Sequence, residues 1–473
     1  VNLNNSYADP SYLREVLTNE LLRPLVPTPR GAYVRLFLDG DYWGLYILSE
    51  QIEGTYVDAW FDGAEGLLVK GDSPTFGEQV PREEADGPAQ GFGHQSNLTW
   101  RGEGLGPYRQ HYEVKTAGAG DAGYAAVREL TRALDAPAAE GGLADGELAA
   151  RLPETLDVDA ALWYLAATNA VMNYDSYYFG HNYFLFRSER DGRWFPLLWD
   201  TNLSLGVYNI AGGGRTGLVR TSPYLQESDR LRPLVRRLLA VPRWRADFLA
   251  HFRTVRAVAL DAARVEALGR ELQRMIRPAL AEDRNRLYAL EHFDRNLDED
   301  VSLGPGAVIV SNGDIPGILP LVRDRAAWLD AQPGLVEPDA VLAAHARAPE
   351  EPGDGQAARV EVRFEGADAP VAVEVVYRVG GGAPRTQAMV SEGGIWAATL
   401  PGLPARTRVA YYVHATFADG RTAFHPAANL REAWRYRVAA PALPEEPGGP
   451  LALNELQADN VATLADEAGE YDD

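Results

Sequence analysis

"NYFLFRSERDGRWFPLLWD" (182–200) decides how this chain is read. Two short, aromatic-rich apolar runs flank Asp191-Gly192, a turn signal, so the segment is expected to be a β-hairpin. The second run ends on one carboxylate, Asp200, with Asn202 and Gly206 close behind. Upstream, "DVDAALWYLAATNAVMN" (157–173) has the apolar content and the acidic start of a helix, with Asp157 or Asp159 as N-cap. "YDSYYFGHN" (174–182) links the two, placing Asp175 in a loop after the helix and Asn182 at the start of the hairpin. The order is helix, loop with Asp and Asn, hairpin, Asp.

Protein kinases arrange a base and a metal site in that order. Magnesium takes hard oxygen ligands, few of them carboxylates, and completes its shell with water and phosphate. A base that receives a hydroxyl proton must be a separate carboxylate facing the nucleophile. A hairpin sets its flanking loops side by side, which would bring Asp175, Asn182 and Asp200 together. The motifs HRD and DFG do not occur. On residues alone a plainer reading competes: Asp175 caps a turn, Asn182 bonds its own backbone and Asp200 ends a strand.

The rest of the chain divides by composition. "AYVRLFLDGDYWGLYILSEQI" (32–52) reads as a hairpin around "DGD", and "GLLVKGD" (66–72) as a short strand. Residues 73–107 are rich in Gly, Pro and Glu and read as a long loop, 124–136 as a helix, and about 230–335 as mostly helical. "RAPEEPGDGQAA" (347–358) reads as a linker, and 359–438 as short β-rich runs punctuated by turns, the pattern of a β-sandwich. A second linker spans 441–450, and 451–473 opens like a strand. The fold class expected is α+β.

The 473 residues carry a net charge of −22. Such a surface repels nucleic acid and anionic membranes, so neither is an expected partner, and a nucleotide site needs local positive charge or a metal. With no cysteine, disulfides and Cys-ligated zinc are excluded. No run reaches the roughly 18 apolar residues of a membrane span, so no membrane insertion is expected. His111 and His181 have no further ligands at zinc spacing, and His181 is read as a loop or core histidine positioning Asn182. Asn4, Asn97 and Asn202 begin N-x-S/T sequons; the one at Asn202 is read as chance.

"GDYWGLYILSEQIE" (40–53), "YDSYYFGHNYFLF" (174–186) and "FPLLWDTNLSLG" (195–206) resemble, in order, three blocks of the spore coat protein H (CotH) kinase family. The resemblance implies an atypical protein-kinase-like catalytic domain over 1–346, binding ATP and Mg2+ and phosphorylating protein Ser or Thr. It implies Asp175 as the catalytic position, Asp200 as the metal position and Asn182 as a second metal ligand. Asn202 stands where family members often carry a second acid, supplying a neutral oxygen in its place. Trp194 resembles an aromatic set against the adenine; a core residue of the hairpin face is the equal alternative. The family's domain begins upstream of Val1 with a Ser-, Arg- and Lys-rich region, so part of the nucleotide lobe is expected to be missing. Lys70 is the remaining candidate against the phosphates, with Glu50 as its partner or on the nucleotide side, and Lys115 a poorer candidate. Residues 359–438 resemble an Ig- or fibronectin-like module, and 451–473 the start of a truncated lamin-tail-like domain. Both occur in exported bacterial surface proteins, so a secreted or cell-surface location is expected.

Three functions compete at this stage. The first is a magnesium-dependent ATP:protein Ser/Thr phosphotransferase acting on a protein substrate, with a basic Ser/Thr segment favoured by the acidic surface. The second is a catalytically degenerate extracellular assembly or binding module. The third, glycoside hydrolysis by Asp175 and Asp200, needs two carboxylates flanking a sugar cleft.

Overall fold

Alternating apolar residues on either side of Asp39-Gly40 build the first hairpin. The computed structural model describes residues 2–61, 63, 65–72, 96–209, 213–304 and 313–441. In it β1 (Asn2–Asn4) is followed by α1 (Arg14–Leu22), then β2 (Gly31–Leu38) and β3 (Asp41–Ser49), and the three strands pair in the order β1-β3-β2. Asp39 and Gly40, at φ 50° and 91°, take the left-handed backbone that a tight hairpin turn with the strands' own twist requires.

After α2 (Gly54–Phe61) comes the sheet that carries the site. It comprises β4 (Gly66–Gly71), β5 (Glu113–Val114), β6 (Tyr183–Ser188) and β7 (Trp194–Leu198), ordered β5-β4-β6-β7 and antiparallel throughout. The helices α3 (Gly106–His111), α4 (Gly120–Asp135), α5 (Leu148–Arg151) and α6 (Val158–Ala170) lie between β4 and β6 in the chain. Both expected hairpins, the strand at 66–71 and the helices near 124–136 and 157–173 are thus present. Of the segment read as a long loop, 73–95 lies outside the described residues, and 106–111 is helical.

A helical half follows: α7 (Gly214–Val219), α8 (Pro233–Ala240), α9 (Pro242–Ala259), α10 (Ala262–Glu282), α11 (Leu290–Arg295) and α12 (Ile318–Asp330), with the short pair β8 (Val301–Ser302) and β9 (Asp314–Ile315) between the last two. One large apolar core runs through both halves. It is centred on α6, which is apolar on every side and buried along most of its length between α9 and β7.

The C-terminal β module comprises β10 (Val341–Ala348), β11 (Ala358–Glu365), β12 (Pro370–Val379), β13 (Arg385–Ala388), β14 (Val390–Glu392), β15 (Ile395–Leu400), β16 (Arg408–Phe417), β17 (Thr422–His425) and β18 (Trp434–Arg437). They form two antiparallel sheets, β10-β11-β15-β14 and β13-β12-β16-β17, with β18 also on β16. Val360 and Val362 from one sheet share a core with Val375 and Val413 from the other. The module starts earlier than its β-rich runs suggest. Residues 341–348, placed by composition in the catalytic domain and the linker, form an edge strand paired along β11, so 349–357 connects two strands of one sheet. Most of the linker at 441–450, and all of 451–473, lie outside the described residues.

The module is docked on α6 and α9 by polar groups buried at the junction. Asp157 caps α6 through the Ala160 amide (2.9 Å) and is shared by Arg193 (3.0 Å) of the hairpin and Arg378 of β12. Burial would push this carboxyl up, but the two guanidiniums outweigh it and hold it below its usual value. His414 of β16 meets Asp247 of α9 at 2.7 Å, His251 stacks on Phe424, and Asn429 donates to Asp159 at 2.8 Å.

Candidate active site

The end of α6 and the hairpin after it deliver the polar groups. Asp175 is buried in the loop between them. One of its oxygens meets His181 Nε2 at 2.6 Å, and the other accepts from Asn182 Nδ2 at 3.0 Å. Asn182 enters β6 at φ 51°, and Asp200 leaves β7 at φ 53°. Left-handed backbone is uncommon outside glycine, though Asn and Asp tolerate it best. Two such residues at the two ends of one hairpin are the kind of local strain that collects at functional sites.

Asp200 is raised to about 7. Burial is the main cause, followed by the negative charges of Asp175 and Glu15; His181 and Lys70 act in the opposite sense. Asp200 thus shares its electrostatic surroundings with Asp175, a lysine and a third carboxylate 185 positions upstream. Glu15 stands in the first turn of α1, bonded by Ser49 and by Asn4 (2.8 Å), and is itself raised by burial. A cavity of about 50 Å3 opens between Glu15, Asn19, Ser49 and Asp200. That is room for a water or a small ion.

The remaining candidates separate. Lys70, in register with Phe184 of β6, reaches the site electrostatically and pairs with Asp72 at 2.9 Å. Glu50 does not pair with Lys70. It lies opposite Arg30 beyond the β2–β3 register and accepts from the Arg30 amide (3.0 Å) and Nε (3.1 Å), because a cross-strand neighbour is nearer than another sheet. Trp194 is 1% exposed and belongs to the main core, with its backbone bonded to Thr155 and Asp157; no face of its ring is left for a base, so the core alternative holds. Asn202 donates to the Tyr7 carbonyl at 3.4 Å. Its Oδ1 is buried with no partner among the described residues. Lys115 pairs with Glu113 at 2.9 Å. His181 positions Asp175 directly, which its place beside Asn182 only half suggested.

Residues 1–304 match the family model described as "CotH kinase protein". The chain belongs to the CotH kinase family. No curated protein matches it. Among solved structures, the crystal structure of a Br derivative of BhCBM56 is 18% identical, over 18% of this chain and 91% of its own, with a TM-score of 0.14. The Pseudomonas fluorescens alkylpurine DNA glycosylase AlkC, bound to DNA containing an abasic site analog, is 13% identical over 50% of this chain and 70% of its own, with a TM-score of 0.15. At such scores neither bears on the fold or the function of the CotH chain.

Oxygens that could hold a hard cation stand at the CotH site. A carboxylate disfavoured as an anion by burial and then by its neighbours gains from a positive charge, and the orphaned Asn202 Oδ1 is an oxygen lacking a donor among the described residues. No three His, Asp or Glu side chains among the described residues form a ready-made cation cage. Magnesium needs none, since it relies on one or two carboxylates with water and phosphate.

Proposed function

We propose that this CotH chain is a magnesium-dependent ATP:protein Ser/Thr phosphotransferase. The observation that carries the proposal is the contrast between its two aspartates. Asp175 is locked by His181 and Asn182, while Asp200 beside it is costly to ionise without a cation. Asp200, with the amide oxygens of Asn182 and Asn202, would hold the metal, and Lys70 would face the phosphates. A bound magnesium ion supplies charge neutralisation on the phosphates. Asp175 orients the substrate hydroxyl and takes its proton as the oxygen bonds to the γ-phosphorus and ADP departs. His181 and Asn182 hold both oxygens of Asp175, so its rotamer is set before substrate arrives.

The same reading takes the chain up to about residue 340 as an atypical protein-kinase-like domain and 341–438 as an Ig- or fibronectin-like sandwich. It places the protein outside the cell and gives it a partner with a basic Ser/Thr segment, supported by the charge of −22 and the appended β module. Thermal unfolding tests it. ATP with magnesium at about 100 times Kd should stabilise the fold by about 2.7 kcal/mol, and ATP with EDTA should not. Equal melting under both conditions would leave the degenerate assembly module as the function.

A further inference from the structure

A second cavity lies away from Asp200. A cleft of about 1150 Å3 lies between the CotH domain and the β module, and none of Asp175, Asn182, Asp200 or Lys70 lines it. One wall carries Trp60 and Phe61 of α2; the other is the start of β16 and β18. In a chain with a net charge of −22 this wall has the opposite sign: Arg406, Arg408, Arg435 and Arg437 all line the cleft and all are exposed. Arg435 donates only to the Ala433 and Leu430 carbonyls and Arg437 only to the Arg406 carbonyl. None of the four has a carboxylate partner among the described residues. The acids at the cleft are already engaged, Asp157 by Arg193 and Arg378, Asp191 by Arg193, and Asp159 by His251 and Asn429.

We propose that this cleft binds an extended acidic peptide segment of a partner protein, independently of whether the Asp175 site transfers phosphate. Guanidinium forks match carboxylates bidentately, and four on one wall repel each other until an anion lies among them. The cleft is longer than a small anion needs, and Trp60 and Phe61 offer apolar surface to the residues between the acids. Long nucleic acid is disfavoured by the overall charge, whereas a short peptide inside the cleft feels the local field within a Debye length of about 8–10 Å.

The test is fluorescence anisotropy with a short fluorescein-labelled peptide alternating Glu and Val, its Lys-Val counterpart as control, and the full chain. The acidic peptide should bind saturably and more weakly as salt rises, and an excess of the basic one should not displace it. Arg406→Glu/Arg408→Glu/Arg437→Glu should weaken binding at least ~10-fold at an unchanged melting temperature. Should that variant unfold, Arg406→Gln/Arg408→Gln/Arg437→Gln makes the same comparison without added negative charge. Equal binding by wild type and a folded variant, absence of saturable binding, or displacement of the acidic peptide by the basic one overturns the proposal. Displacement by inorganic phosphate at the peptide's own concentration also overturns it, in favour of a small-anion site.

Discussion

Alkaline pH should loosen the β module from the helices, and His414 should be the reason. His414 is 2% exposed at the junction, bonded to Asp247 of α9, with Glu374 of β12 at 3.6 Å and Arg243 of α9 as the opposing cation. Burial alone would lower the imidazole, but Asp247 and Glu374 outweigh it and raise His414 to about 9. The same attraction seen from the other end, chiefly from His414 and then Arg243, lowers Glu374 to about 2, so the two displacements are not summed. A pKa raised on folding stabilises in full below the unfolded value and is lost as pH climbs through the folded one. From 6.5 to about 9, at about 1.4 kcal/mol per pH unit, the contribution is roughly 3 kcal/mol. It is whole below about pH 6.5 and gone above about pH 10. The carboxylate arm has the opposite sign, being complete above about pH 4.5 and fading as pH falls towards 2. The assay is denaturant unfolding of wild type and His414→Gln at about pH 6 and about pH 10. The stability gap between them should shrink by roughly 3 kcal/mol at the higher pH, because only the wild type has this proton to lose. An equal gap at both values would refute the reasoning.

Other perturbations test the site and its frame. Asp200→Ala should lower both magnesium–ATP affinity and phosphotransfer. Asp175→Ala should spare ATP binding, read by calorimetry, while turnover falls roughly 10²–10⁴-fold. His181→Ala should lower turnover with the ATP-induced melting shift retained, since it removes only a partner of Asp175. Asp157→Asn should cost about 3–5 kcal/mol in unfolding experiments, because it takes the counter-charge from Arg378 and one of two from Arg193 at a buried junction. Gly206→Ala should cost about 1–3 kcal/mol by the same measurement, since φ is 93° there and a Cβ would stand 2.5 Å from Leu321.

What the sequence disclosed followed the range of the forces involved. The hairpin at 182–200 and helix α6 are local in origin, set by alternation, a turn dipeptide and an N-cap, and they appear where those signals stand. Asp175 and Asn182 were legible together because one loop carries both. Glu15 was not, since nothing in "REVLTNELL" (14–22) distinguishes a carboxylate that meets Asp200 across 185 positions. For Glu50 and Trp194 the sequence left alternatives open for one shared reason, that partners are chosen in space: Arg30 lies directly across the sheet, and the core closes over the indole. β10, "VLAAHARA", lacks the β-branched density of a strand and is one only because β11 offers it an edge.

The carboxylate of Asp157 has a mechanical meaning. It is the rivet where three parts meet: the start of α6 by its cap, the hairpin through Arg193, and the β module through Arg378. The far end of that same helix leads into the loop that holds Asp175. A pull on the β module is therefore borne by a lever whose other end lies at the proposed base, and tension that tears Arg378 away leaves Arg193 to keep the helix start and the hairpin fastened together.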